Sequence, residues 1–254
     1  MPHSWPRSLI LVRHAESVGN LAADRAHATG ASELDLDVRD ADVELSGAGR
    51  EQAVSLGRWL AKLPDDERPT AAFSSPYVRA AETARLALEA SRLDIPLELD
   101  ERLRERDLGI FDGLTGKGYR ELYAREADRR QRTGKLYYRA PGGESWSDVA
   151  LRVRSLLDSL REEHAGERLL ILSHQAVIMS FRLVLERLDE RTLLDIERQE
   201  PLANCSVTRY DLGDDDRLVL TAFAETTAME GEAPVTEEPA SEEPIAEERV
   251  ADDA

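Results

Sequence analysis

Two short apolar runs in this chain each lead into a histidine. Residues 8–12 lead into Arg13-His14, and residues 169–173 lead into His174. Runs this short, bounded by polar residues, are what strands buried between helical layers require. A third run, Ala71–Ser74, ends on Ser75-Pro76. Between the runs lie longer segments of helical period. The pattern predicts an α/β protein, a three-layer sandwich whose mostly parallel central sheet is flanked by helices. In such sheets ligands bind at the carboxyl ends of the strands, which is where His14 and His174 would emerge.

Helices are predicted over residues 47–63, 76–90 and 145–163. The second has Ser75 as its expected N-cap and Pro76 at the first helical position. The third places Trp146, Val149, Val153, Leu156, Leu157 and Leu160 on one face, behind a Ser145/Asp148 capping box. Residues 206–212 and 217–224 flank Gly213-Asp-Asp-Asp216 and read as a hairpin or edge pair.

Charge divides the chain. Residues 225–254 hold eleven acids against one base, Arg249, and account for more than half of the net −18. That stretch has no aromatic residue and is expected to be a disordered acidic tail that contributes nothing to a site, leaving residues 1–224 as one catalytic domain. The overall sign disfavours nucleic acid as a partner. No apolar stretch approaches the ~20 residues of a membrane helix. One cysteine, Cys205, leaves no intrachain disulfide and no cysteine metal cage. The expectation is a cytoplasmic enzyme, with self-association as a homodimer left open.

Only three of the 33 basic residues are lysine, so recognition of oxyanions falls to guanidinium groups. Arg13 and Arg79 flank the two histidines in the expected sheet-end cluster. Such a cluster repels itself unless an anion sits within it, and a phosphoryl group fits. A nitrogen nucleophile could accept that group and pass it to water. A metal site fits less well, because arginine beside the ligands would oppose a cation.

Six ordered motifs now carry a resemblance. They are Leu11-Val12-Arg13-His14-Ala15-Glu16-Ser17, Leu45-Ser46 through Gln52-Ala53, Ser74-Ser75-Pro76 through Thr83, Leu103-Arg104-Glu105-Arg106-Asp107-Leu108-Gly109, Pro141-Gly142-Gly143-Glu144-Ser145 and Leu172-Ser173-His174. Together they resemble the histidine phosphatase superfamily, the clan of phosphoglycerate mutases and acid phosphatases. The resemblance implies His14 as the residue that becomes phosphohistidine, with Arg13, Arg79 and His174 as partners in the phosphate pocket. It implies Glu105 as the acid that protonates the leaving oxygen and then activates water. Asn20 sits where members bind a phosphate oxygen. Ser17 and Gln175 are further candidate substrate contacts, Gln175 standing where glycine is frequent. No cofactor and no metal are expected.

Mutases of this clan typically carry tyrosine where this chain has Leu108, which favours a phosphatase acting on a small phosphorylated metabolite over mutase-type transfer. A non-catalytic phospho-ligand scaffold is the alternative of another class, and it would be expected to have lost His14, His174 or Glu105. Residues 117–139 carry net +5. They are read either as a lid whose Arg129, Arg130 and Arg132 meet a second anion, or as a solvated helix with Arg120, Arg125 and Arg129 outward.

Overall fold

Alternate residues of the apolar runs bury on opposite faces of one sheet. Leu9, Leu11, Phe73, Leu169 and Ile171 join one apolar core, while Ile10, Val12, Ala72, Leu170 and Leu172 join a second on the other face. Period-2 side chains that are apolar at every position demand cover on both sides, and helices supply it. The computed structural model describes residues 5–237. Its strands are β1 (Ser8–Arg13), β2 (Ala71–Ser74), β3 (Leu97–Leu99), β4 (Arg168–Ser173), β5 (Val207–Leu212) and β6 (Leu218–Glu225), in the sheet order β3-β2-β4-β1-β5-β6. The first four are mutually parallel, and β5 and β6 form the expected antiparallel edge pair.

The helices among the described residues are α1 (Val18–Thr29), α2 (Gly47–Lys62), α3 (Val78–Ser91), α4 (Gly116–Leu122), α5 (Ala124–Thr133), α6 (Trp146–Glu163), α7 (Gln175–Leu185) and α8 (Glu190–Gln199). Helix α6 buries the six residues predicted for its inner face and starts on the Ser145/Asp148 capping box. Helix α3 departs from expectation. It begins at Val78, after Tyr77, and the chain from Ser75 to Tyr77 stays outside the helix. Ser75 therefore does not cap it; its hydroxyl accepts from Tyr77 N and also reaches His174.

Register places the site. Arg13 of β1 pairs with Ser173 of β4, and Leu172 pairs with Ser74 of β2. Three neighbouring strands thus release His14, His174 and Ser75 side by side at their carboxyl ends.

The expected boundary at residue 224 is corrected. Strand β6 runs through Glu225, and residues 226–236 fold back over α2 with Ala228 and Met229 buried. Ser55 Oγ donates to Ala228 O at 2.6 Å, and Arg58 and Lys62 each meet Glu232 at 3.1 Å. Acidic composition had masked one apolar pair that is enough to dock a short segment. The remainder of the expected tail, residues 238–254, lies outside the described residues. A chain ending at Glu225 is expected to melt on the order of 5–10 °C below one ending at Glu237, from the lost burial of a methionine and its neighbouring hydrogen bonds. Calorimetry of the two truncations measures this, and equal midpoints would show that the docked segment adds nothing.

Candidate active site

The loop after β1 is fixed peptide by peptide. His14 N donates to Ser173 O at 2.9 Å, Asn204 Nδ2 donates to His14 O at 3.1 Å, and Ala15 N donates to Thr83 Oγ1 at 3.1 Å. Glu16 N donates to Gln52 Oε1 at 2.8 Å. The first turn of helix α2 packs against this loop at Gly49, where an added Cβ would lie 1.9 Å from Glu16 O. Only glycine permits that approach. The two amides that hold the loop are themselves tied to the docked C-terminal segment. Gln52 Nε2 donates to Thr236 Oγ1 at 2.8 Å, and Thr236 Oγ1 donates to Asn204 Oδ1 at 3.0 Å.

The histidines meet as expected. Their ring centroids lie 5.1 Å apart, and His14 and His174 are 4% and 0% exposed. His14 Nδ1 lies 2.8 Å from Ala15 O, which sets it as the protonated nitrogen and leaves the lone pair on Nε2. Arg79 Nε donates to that Nε2 at 3.3 Å. Burial first, and then Arg79 and Arg13, hold the His14 pKa well below its ordinary 6.5. The ring stays neutral and nucleophilic. His174 is lowered in the same direction by burial and by Arg79. Its Nε2 lies 2.8 Å from Ser75 Oγ, while Nδ1 has no hydrogen-bond partner among the described residues.

Arg13 is buried beneath the pair, with one guanidinium nitrogen on Leu202 O. Glu105 lines the cavity above them, and Arg106 N donates to its Oε1 at 2.7 Å. Burial raises the Glu105 pKa above its ordinary value. A carboxyl so shifted holds a proton at a pH where a surface glutamate has lost it, as a general acid requires.

Asn20 and Ser17 also line the cavity, but much of their polarity serves local structure. They form a reciprocal cap on α1: Asn20 N donates to Ser17 Oγ at 3.1 Å and Ser17 N donates to Asn20 Oδ1 at 2.9 Å. Gln175 lines the wall as the first residue of α7. The segment 117–139 answers to neither expectation alone. Arg125, Arg129 and Arg132 are exposed on α5, whereas Arg130 lines the cavity and lies over the Tyr119 ring at 5.7 Å.

Asp40, Thr83 and Asn204 belong to this constellation and were not legible beforehand as site residues. Asp40 has the sharpest consequence. Its carboxylate takes Arg79 Nη1 at 2.9 Å and Nη2 at 3.1 Å, so it occupies the fork that a phosphoryl group needs. Asp40→Asn is expected to tighten competitive inhibition by inorganic phosphate at least about fivefold, because a like charge leaves the anion's neighbourhood. Weaker inhibition in that variant would instead make Asp40 an orienting partner of Arg79.

A cavity of about 530 Å³ opens over the cluster, with Arg13, His14, Arg79 and Glu105 among its lining. Buried imidazoles, guanidiniums and a carboxyl held above its ordinary pKa by burial form a set suited to phosphoryl transfer. The sequence model of the histidine phosphatase superfamily (branch 1) matches residues 9–225. The chain belongs to the histidine phosphatase superfamily. Among its relatives in the superfamily, 2,3-bisphosphoglycerate-dependent phosphoglycerate mutase 2 of Gloeobacter violaceus is 33% identical over 195 residues, covering 76% of this chain and 80% of that one. The solved structure of Bacillus stearothermophilus YhfR superposes with a TM-score of 0.68 at 25% identity, over 87% of this chain and 98% of that one. A mycobacterial glucosyl-3-phosphoglycerate phosphatase in complex with VO3 gives 0.64 at 28% identity, over 85% and 98%. For this histidine phosphatase superfamily member, no helix among the described residues is long and apolar enough to cross a membrane.

Proposed function

We propose that this protein hydrolyses phosphomonoesters of small metabolites in two displacements on His14, without a metal. The observation that carries the reading is the His14 Nδ1 to Ala15 O contact at 2.8 Å, which aims a neutral Nε2 at the cavity beside Arg79.

In the first step the ester phosphate enters between Arg13, Arg79 and His174, displaces Asp40 from the Arg79 fork and draws Arg79 Nε from His14 Nε2 onto its own oxygens, which frees the Nε2 lone pair. His14 Nε2 forms a bond to phosphorus as the ester P–O bond breaks, and Glu105 gives its proton to the departing oxygen. In the second step water attacks the phosphohistidine. Glu105, now a carboxylate, takes the water proton as the P–N bond breaks, and phosphate leaves. The guanidiniums and the His174 ring hold charge on the equatorial oxygens throughout. Cationic residues around the phosphate take the place a metal would fill, so chelators are expected to leave the rate unchanged. The lone, buried Cys205 accords with a cytoplasmic setting.

Mutase-type transfer is the second reading, favoured by the likeness to the Gloeobacter mutase. Against it stands Leu108, which lines the cavity and offers no side-chain hydrogen bond to a substrate. A panel of phosphomonoesters assayed with and without 2,3-bisphosphoglycerate separates the two. Phosphate release independent of the bisphosphate is expected. Isomerised product that appears only in its presence would replace hydrolase by mutase, and no turnover on any ester, including p-nitrophenyl phosphate, would leave a scaffold.

A further inference from the structure

The peptide between Ala15 and Glu16 is held on both edges. Its carbonyl accepts from His14 Nδ1 at 2.8 Å, which leaves the lone pair on Nε2, and its N–H donates to Gln52 Oε1 at 2.8 Å. Whatever orients Gln52 therefore holds the peptide plane that orients the nucleophile. With Oε1 committed to Glu16 N, Gln52 turns its N–H donors the other way. They go to Pro234 O and Thr236 Oγ1, each at 2.8 Å. Both acceptors belong to the docked C-terminal segment.

Thr236 passes the constraint on. Its Oγ1 accepts from Gln52, so its own proton is free to be given, and it goes to Asn204 Oδ1 at 3.0 Å. With its oxygen occupied, Asn204 presents Nδ2 to His14 O at 3.1 Å and to Asn20 Oδ1 at 3.4 Å. The main chain closes the link, because Asn204 N donates to Thr236 O at 2.8 Å. One hydroxyl thus fixes the sense of two side-chain amides, and those amides grip the His14 loop from both sides of Ala15. Gln52 and Asn204 are fully buried, so a hydrocarbon in place of that hydroxyl leaves the Asn204 oxygen short of its side-chain donor. Thr236 itself is not among the residues that line the cavity, and it lies beyond residue 225, where the superfamily match ends.

We propose that Thr236 is a positioning residue for phosphoryl transfer. Its hydroxyl, reaching in from the docked C-terminal segment, orients Gln52 and Asn204 and through them holds the His14 loop in its reactive geometry. The inference rests on the phosphomonoester reading above.

Two substitutions in the full-length chain test it. Thr236→Val keeps the shape and removes the hydroxyl, whereas Thr236→Ser keeps the hydroxyl. Rapid mixing with p-nitrophenyl phosphate gives the rate of phosphoenzyme formation, and competition gives the inhibition constant of inorganic phosphate. Thr236→Val is expected to slow phosphoenzyme formation about tenfold, the scale of one hydrogen bond to a buried group, with the inhibition constant within about twofold of wild type. Thr236→Ser is expected to stay within about threefold on both. Hydrogen exchange supplies a readout apart from activity: the amides of residues 14–20 should exchange about tenfold faster in Thr236→Val and not in Thr236→Ser. An unchanged rate in Thr236→Val overturns the role. So does an equal loss in both variants, since the hydroxyl would then not be the operative group. Phosphate binding weakened in proportion to the rate, or faster exchange confined to residues 226–236, would likewise reduce Thr236 to a tie of the C-terminal segment. If the wild type turns over and Thr236→Val matches it, only the positioning role falls. If the wild type forms no phosphoenzyme and hydrolyses no ester, the phosphatase reading falls and takes this role with it.

Discussion

His14→Ala is expected to lower kcat/KM for p-nitrophenyl phosphate by at least about 10⁴-fold while the protein stays folded. Loss of a nucleophile removes a step that no neighbour can take over, and effects of that size follow when one member of a concerted set is deleted. His174 is no substitute, because its Nε2 is bonded to Ser75 and its ring is tilted 60° to that of His14. The scaffold around the deletion does not depend on the imidazole. Ala15 N to Thr83, Glu16 N to Gln52 and the Arg79–Asp40 pair are all made by other groups. Stopped assays, with far-UV circular dichroism as a folding control, provide the comparison. Activity within tenfold of wild type would place the chemistry elsewhere.

Glu105→Gln is expected to split substrates by leaving group. An alkyl alcohol needs a proton as it departs and glutamine has none to give, so alkyl esters should lose at least about 10²-fold in kcat/KM. An aryl phosphate leaves with little help, so phosphorylation of His14 by it should survive. Hydrolysis of the phosphoenzyme remains slow without a base, and a burst followed by slow turnover is the expected trace. The pH dependence follows from the two shifts. Glu105 is raised by burial, so wild-type kcat/KM for an alkyl ester holds past the ordinary carboxyl range and falls only as that proton is lost at higher pH. His14 is lowered, so its acid limb lies below 6.5 rather than at it. In Glu105→Gln the alkaline limb set by Glu105 should vanish. Equal losses for aryl and alkyl esters, with that limb kept, would remove Glu105 from the proton-transfer role.

The parts of the site that could be read in advance are those that local sequence dictates. Residues 8–12 and 169–173 are apolar at almost every position, which reads as buried strands, and a histidine after each emerges at the carboxyl end of the same sheet. The parts that could not be read depend on how distant segments meet. Asp40 lies in a short polar stretch and gains meaning only because α3 brings Arg79 to it. Asn204 reaches His14 O through the turn that leads into β5, a contact between residues 190 positions apart. Strand β3 is three residues long and only partly covered, too little for a periodic signal. Ser75 followed by proline matches a helix start, yet the chain stays outside the helix through Tyr77. The bond from Ser75 Oγ to His174 accompanies that geometry. The docked residues 226–236 were hidden by averaging them with the acidic residues that follow.

The most direct test of the mechanism is the phosphoenzyme itself. Rapid mixing of wild-type protein with excess p-nitrophenyl phosphate, quenching in base and peptide mass spectrometry is expected to place one phosphoryl group on His14. The adduct should be stable to alkali and labile to acid, and it should be absent from His14→Ala. A phosphoryl group found on a serine, on His174 or on no residue during steady turnover would contradict the account.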